Sequence, residues 1–533
     1  MKIRSVCIVG GGSSGWMTAA LLAKNLKNTI ITVVEPKDVP TIGVGESTLG
    51  HINRYLHAIG LEGKDKEWMP KCDATYKVSI QFTDFKNIGT RFQYPFGQHD
   101  FSGNKTPFDW YKFRHHEEFD TSYAEYYNPI TYLADANRMT NSREVITNFD
   151  FNDDTAYHFD ATKFGEYLKN EICIPNGVRV IRDKISKVYK KEDGSIDWLQ
   201  LSLSPTMRLS ADLYIDCTGF KSLLLEEEMG SKFISFNDIL LNDTALAARI
   251  PYVDREKEIH NVTDCHALQY GWVWDIPLWN RIGTGYCFSQ KFTTVEAAEK
   301  EFRKHLSKKD KKRAEEAEFF KIDIRHGKRE RGWVKNCVGI GLSYGFLEPL
   351  ESTGLLTTHE NALRLLDTLQ RREGFISKAD IDGYNLSADK DIEEMKDFIA
   401  MHYVLSQRDD SSYWKHCTEK VEVIKDTELF DQVMRAPRLY QEFVYSVTRF
   451  HELGPLDGLL YIAAGMGYNP MSETQYKFAT RVKDITATLQ ESSVLTDHLA
   501  YHKKAKEYVS NLPTTFEFLR DHVYSSEKEK VVC

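Results

Sequence analysis

Long apolar runs are missing from this sequence of 533 residues. None approaches the roughly 18 residues that a membrane span needs, and mean hydropathy is −0.45. A surplus of positive charge is missing too. The 69 Lys and Arg against 78 Asp and Glu leave a net charge of −9, which removes any bulk electrostatic reason to bind nucleic acid. Cysteine is sparse, with nine scattered residues and no C-x-x-C, so the set reads as reduced cytoplasmic thiols. A secretory leader is not recognisable. The charges at Lys2 and Arg4 precede a short apolar run that enters a glycine cluster, which reads as a buried strand. A cytoplasmic location is therefore the expectation, and the Asn-x-Ser/Thr matches at Asn242 and Asn261 are chance. There is no internal repeat and no low-complexity tract. With 41% hydrophobic residues the chain is too apolar to be disordered. What is plentiful is aromatic: 29 Phe, 27 Tyr and 9 Trp, enough for large cores or for a site that takes a flat apolar ligand.

Residues 1–50 read as strand, turn, helix, strand and loop. Residues 84–155 look like an insertion rich in aromatics. Short β-branched runs return at 178–181, 198–203 and 213–215, and further strands are expected over 245–290 and 333–342. From about Gly354 the apolar spacing becomes helical, over 362–369, 391–404 and 429–450. The division expected is an α/β nucleotide-binding body over 1–360 and a helical part over 361–533. The mixed-charge run 307–316 reads as a solvated helix.

Gly10-Gly11-Gly12-Ser13-Ser14-Gly15 is a G-x-G-x-x-G. It follows the apolar run 6–9, precedes a helical stretch, and is followed by a second strand ending at Glu35. Chemistry demands this order. Gly10 makes the tight turn, Gly12 lets backbone approach a pyrophosphate, and Gly15 lets helix pack on strand. Ser13 and Ser14 open a helix whose free N–H groups favour phosphate, and Glu35 can accept from a ribose hydroxyl. The spacing does not separate FAD from NAD. Two later strand ends, at Asp216–Gly219 and at Gly341, favour FAD bound as in flavoproteins of the glutathione-reductase type. The expected fold class is thus α/β, a Rossmann-like FAD domain with a helical C-terminal substrate domain.

Gly271-Trp272-Val273-Trp274-Asp275-Ile276-Pro277 fits W-x-W-x-I-P. Read locally, Trp272 and Trp274 share one face of a strand and suit a core. Lys77 alternates with Ser79 and Gln81, which by default is a solvated strand face. Glu351 sits before a helix start capped by Ser352 or Thr353. Taken together, these motifs resemble the flavin-dependent halogenases, in particular the tryptophan-halogenase group. The resemblance also covers Gly43-Val44-Gly45-Glu46-Ser47, Thr75-Tyr76-Lys77-Val78, Ala156-Tyr157-His158-Phe159-Asp160 and the stretches 330–338, 346–354, 398–403 and 407–414.

That resemblance implies an enzyme in which reduced FAD, O₂ and a halide ion, itself a substrate, yield hypohalous acid that halogenates an electron-rich aromatic carbon. Lys77 matches the lysine that holds the oxidant, and Glu351 the carboxylate that orients it or takes the ring proton. Thr353 and Gly354 match the halide-binding backbone. Trp272, Trp274, Ile276 and Pro277 match the partition between flavin and substrate. Gly10, Gly12, Ser13, Ser14, Gly15, Glu35, Val44, Gly45, Glu46, Ile185 and Leu355 match cofactor contacts. A second G-x-G-x-x-G for NAD(P)H is absent, which agrees with FADH₂ supplied by a separate flavin reductase. Chloride, bromide and iodide stay open, as does the oligomeric state, a homo-oligomer included. The Tyr and Glu residues that clamp free tryptophan in the family have no convincing match in 439–453, so an indole, phenol or similar arene is expected. Arg114, His115 and His116 fall in the insertion beside the substrate site. Adjacent histidines cannot share a face, so no metal site is read there. The rivals are a flavin-dependent aromatic hydroxylase and a flavin-binding protein without turnover.

Overall fold

The computed structural model describes residues 1–36, 45–97, 99–100, 105, 109–114, 118–147, 149–421, 455–468 and 489–525. Val44, His115, His116 and the 439–453 stretch lie outside the described residues. The strand Ser5–Val9 is buried almost throughout, as a continuous apolar run must be when both faces of a sheet are covered. It lies inside a six-stranded sheet. The order is Trp333–Val334, Cys337–Gly339, Leu213–Asp216, Ser5–Val9, Ile30–Glu35 and Arg179–Arg182. Every pairing is parallel except the edge hairpin Trp333–Val334 with Cys337–Gly339. Segments far apart in sequence thus build one sheet, as expected for the flavoprotein type.

A seven-stranded sheet stands beside it. Its order is Phe320–Asp323, Thr244–Ile250, Ile282–Phe288, Gly271–Pro277, Val262–Ala267, Ser79–Thr83 and Arg91–Pro95. The W-x-W-x-I-P strand is its middle member and is fully buried. A small sheet of Glu46–Ser47, Ala156–Phe159 and Thr75–Lys77 joins the two layers. Helices follow as expected at Thr353–Arg371, Lys378–Val404 and Ser412–Lys420. Helix Thr353–Arg371 runs across position 360 and packs on the N-terminal helix Ser13–Asn25.

Several local expectations fail for identifiable reasons. The alternation Lys77, Ser79, Gln81 crosses a strand break at Val78. The Val78 amide leaves its neighbours to donate to Asn261 O, and the two strands enter different sheets. Lys77 and Ser79 are consequently buried, not solvated. The run 307–316 is not one solvated helix. It breaks at Asp310, which caps Lys311–Glu316, and Arg313 is buried against Glu258. Asn242 and Asn261 are completely buried, which suits chance sequon matches. The eight described cysteines are free and buried.

Candidate active site

The turn after Ser5–Val9 opens onto a cavity of about 1210 Å³. Gly10 has φ of +116°, and a Cβ there would come within 2.2 Å of Cys217 O. A Cβ on Gly15 would come within 1.9 Å of Gly10 O, so this glycine is what lets helix Ser13–Asn25 sit against the strand. Gly12 is different: a Cβ there meets nothing within 4 Å. It faces open space at a helix N-terminus, where the first N–H groups have no intrahelical acceptor. Ser13, Ser14, Glu35, Gly45, Glu46, Ile185, Gly354 and Leu355 all line the same cavity. Gly354 also leaves open space where its Cβ would be. The donor set, the bare glycines and the volume fit an extended dinucleotide such as FAD.

Three of these lining residues carry detail that their motifs did not announce. Glu35 is ion-paired with Lys169 Nζ, with Arg182 3.5 Å away, so the carboxylate has cationic partners at the cavity wall. Ile185 stands just beyond the parallel sheet, as the first residue of a strand in a small antiparallel sheet. Burial and the nearby Asp160 push the Glu46 carboxyl up to about 7.

Behind the cavity lies a chamber around Lys77. Its ammonium donates to Ser47 Oγ at 2.8 Å, Thr48 O at 2.9 Å and Ser352 Oγ at 2.9 Å, with the Phe96 ring 4.9 Å away. Burial pushes the lysine down to about 7, and Glu351 works against that shift. Ser47 and Ser352 line the flavin-sized cavity as well, so they stand between it and the buried lysine. Glu351 is completely buried on the short turn Pro349–Glu351. Burial raises its carboxyl, while His402 and Lys77 pull it down. Oε1 lies 2.8 Å from His402 Nε2, an ion-pair contact rather than an aligned hydrogen bond. His402 Nδ1 faces the carbonyls of Phe398 and Ile399 at 3.1 Å each, so Nδ1 carries a hydrogen.

Ser352 is the residue before helix Thr353–Arg371, as expected, but not as a side-chain cap. It has φ of +56° and makes no capping bond, because its hydroxyl is turned to Lys77 and Ser47. Thr353 Oγ1 donates to Glu348 O at 2.9 Å, and the Thr353 and Gly354 amides stand in the first turn of the helix, where N–H groups have no intrahelical acceptor.

The two motif tryptophans have different surroundings. Trp274 and Ile276 line the cavity, and the Trp274 ring presses on Gly285, where a Cβ would come within 2.3 Å. Trp272 does not line it. Its Nε1 donates to the buried Glu348 carboxylate at 3.1 Å, which also accepts from Tyr403 at 2.7 Å and Asn242 at 2.7 Å. Pro277 ends the strand, and its carbonyl accepts from Thr75 Oγ1 at 2.6 Å. Residues that sequence reasoning assigned no role are Ser47, Thr48, His158, Thr263, Glu348 and His402. Ser47, His158, Glu348 and His402 did stand in the recognised strings, but a string carries no statement of what its residues touch.

Comparison with known proteins agrees with this site. A family model described as tryptophan halogenase matches residues 5–481. The chain is 32% identical over 439 residues to the tryptophan 7-halogenase RebH of Lentzea aerocolonigenes, covering 78% of each. It is 30% identical over 549 residues to the tryptophan 6-halogenase ThaL of Streptomyces albogriseolus, covering 97% of this chain and 98% of that one. Among solved structures it is similar to VirX1 in its apo form, with TM-score 0.87 and 45% identity over 98% of this chain and 100% of the other. It is also similar to Xcc4156, a flavin-dependent halogenase from Xanthomonas campestris, with TM-score 0.82 and 26% identity over 98% and 99%.

Proposed function

Because the chain belongs to the tryptophan halogenase family and is a flavin-dependent halogenase, we propose that Lys77 and Glu351 are its reaction centre and that its substrate is an electron-rich arene. The observation that carries this reading is the pairing of a buried lysine and a buried glutamate behind a wall of Ser47 and Ser352 that also borders the cavity. FAD bound in that cavity supplies, once reduced, the oxidation of halide by O₂ to hypohalous acid.

The chain's own residues divide the remaining work. The amides of Thr353 and Gly354 hold the halide at a helix start. Trp274 and Ile276 keep the arene off the cofactor. Lys77, brought near neutrality by burial, holds the oxidant by N–H donation, or as an amine takes its halogen and releases water. Glu351, steadied by His402, takes the proton that leaves the ring carbon when the carbon–halogen bond has formed. Gly10, Gly12, Ser13, Ser14, Gly15, Glu35, Gly45, Glu46, Ile185 and Leu355 hold the cofactor, with Glu35 exchanging Lys169 for a ribose hydroxyl. Reducing equivalents come from a separate flavin reductase. Among the described residues no helix is long and apolar enough to cross a membrane, and we place the enzyme in the cytoplasm.

The test combines FAD, a flavin reductase, NADH, and bromide or chloride with a panel of indoles and phenols, read by mass spectrometry. Halogen isotope doublets on an aromatic product are expected. Oxygen insertion, or no product from any arene, would overturn the reading.

A further inference from the structure

Two residues of the recognised strings, Ser47 and His158, have no part in the chemistry so far. In the fold they meet. Ser47 Oγ lies 2.7 Å from Thr263 Oγ1, which lies 2.8 Å from His158 Nε2. His158 Nδ1 lies 3.3 Å from Thr75 Oγ1, which donates to Pro277 O at 2.6 Å. Every member is buried: Ser47, Thr75, His158 and Thr263 have almost no exposed surface.

One fixed end orients the whole string. A carbonyl only accepts, so the Thr75 proton is committed to Pro277 O. The Thr75 oxygen is then free only to accept, and His158 Nδ1 must be the donor to it. Burial and the charge of Lys77 hold His158 well below the usual imidazole range, so it is neutral and Nε2 is an acceptor. Thr263 therefore donates to Nε2 and accepts from Ser47. The Ser47 oxygen is left to accept from Lys77, and from Ser352, whose hydroxyl donates to it at 3.0 Å. The three atoms around Lys77 Nζ are then all acceptors, which matches the three hydrogens of an ammonium and gives a neutral amine's lone pair no donor.

We propose that Ser47, Thr263, His158 and Thr75, anchored on the Pro277 carbonyl, form a positioning string that fixes Ser47 as an acceptor toward Lys77 and thereby sets the protonation of that lysine. The string resists the desolvation that favours the neutral amine. It also ties the last residue of the W-x-W-x-I-P strand to the lysine, although Pro277 is remote from any reacting atom. For Lys77 to become an amine, the hydroxyl of Ser47 or Ser352 must turn to donate to it, and a turned Ser47 releases its bond to Thr263. Other titratable groups face Lys77 from every side: Glu351 from its short turn, Cys265 from Val262–Ala267 and His158 from Ala156–Phe159. His402 stands behind Glu351, and His260 faces His158.

The test reads Lys77 directly. Protein labelled with ¹³C at lysine Cε is titrated by NMR without flavin, the Lys77 signal being assigned from Lys77→Met. Ser47→Ala removes one enforced acceptor of the ammonium, so its titration should move to lower pH by about one unit. Thr263→Val keeps the shape but frees Ser47 to turn, and should move it the same way by less. Thr263→Ser restores the hydroxyl and should restore the midpoint. With the reductase system added, the pH profile of halogenated product per flavin oxidised should follow the same shifts. A Thr263→Val titration that superimposes on wild type, or a Thr263→Ser protein that stays shifted, overturns the proposal. If Ser47→Ala does not fold, the two Thr263 variants decide it. The significance of the string rests on Lys77 being the reaction-centre amine, but the flavin-free titration does not, so a failure of that role and a failure of the string are told apart.

Discussion

The cavity beneath the Gly10–Gly15 turn draws its wall from segments spread between Val9 and Thr358, and Gly12 and Gly354 leave open space in it where a Cβ would stand. The chamber around Lys77 is the opposite. It is made of side chains brought from Ser47, Thr75, His158, Thr263, Glu351, Ser352 and His402; the polar atoms around the ammonium are paired, while the Glu351 oxygens meet His402 Nε2 by a close contact without an aligned hydrogen bond. The first holds a large group by shape and dipole, and tolerates solvent. The second holds a lysine and a glutamate out of water, where each unpaired polar atom is costly. On the proposed roles, binding and reactivity are separable in this molecule, although Ser47 and Ser352 belong to both.

Substitutions can break that separation or sharpen it. Lys77→Ala should lower halogenated product on the order of 1000-fold while FAD affinity and flavin oxidation persist. Loss of FAD binding in that variant would show that cavity and chamber are one unit. His402→Phe leaves the buried Glu351 without its imidazole. Product per flavin oxidised should fall about 30-fold, again with FAD binding intact. Unchanged turnover would free Glu351 of its assigned support. Lys77→Met tests what the chamber costs. The wild-type lysine is pushed from 10.5 down to about 7 in the folded state. Between those values the unfolded chain binds more protons, so this group's penalty on stability is fully present below about 7 and fades toward 10.5. The variant should thus melt higher than wild type at pH 6, with a gain that shrinks as pH rises. A gain that grows with pH would have the wrong sign. The smallest effect is expected at the partition motif. Trp272→Phe leaves Glu348 one donor short and should cost about 1 kcal/mol of stability, with product per flavin unchanged, whereas Trp274→Ala opens the cavity wall. Equal product losses in both variants would mean that the two tryptophans act as one barrier.

The contrast between the two regions also explains what could be read in advance. The glycine turn, its flanking strand and helix, and the acidic end of the next strand are contiguous, so spacing alone implied their arrangement. Lys77 and Glu351 were found only through resemblance to a family, because local pattern pointed elsewhere. The alternation at Lys77 suggested a wet strand face, but the strand breaks at Val78 and the fold buries it. Ser352 looked like a helix cap, yet a positive φ turns its hydroxyl away from the helix toward the lysine. Trp272 and Trp274 share a strand and a motif, but the packing of Glu348 gives the first a structural bond and leaves the second at the cavity. No periodicity encodes contacts between residues some 200 to 300 positions apart, such as Ser47 with Thr263 and Lys77 with Ser352.

The buried cysteines acquire a meaning from the product of the reaction. An enzyme that generates hypohalous acid is the first molecule exposed to it, and thiolate sulfur is the side-chain form such an oxidant consumes most readily. Burial pushes all eight described thiols upward, Cys7, Cys173 and Cys417 to about 12, so they stay protonated and dry throughout the working pH range. Cys265, whose Sγ lies 3.9 Å from Leu350 O, is held this way beside Lys77 and Glu351. Keeping the thiols protonated and buried withholds from the oxidant the side-chain form it attacks fastest, which on the proposed roles leaves it to the lysine and the arene.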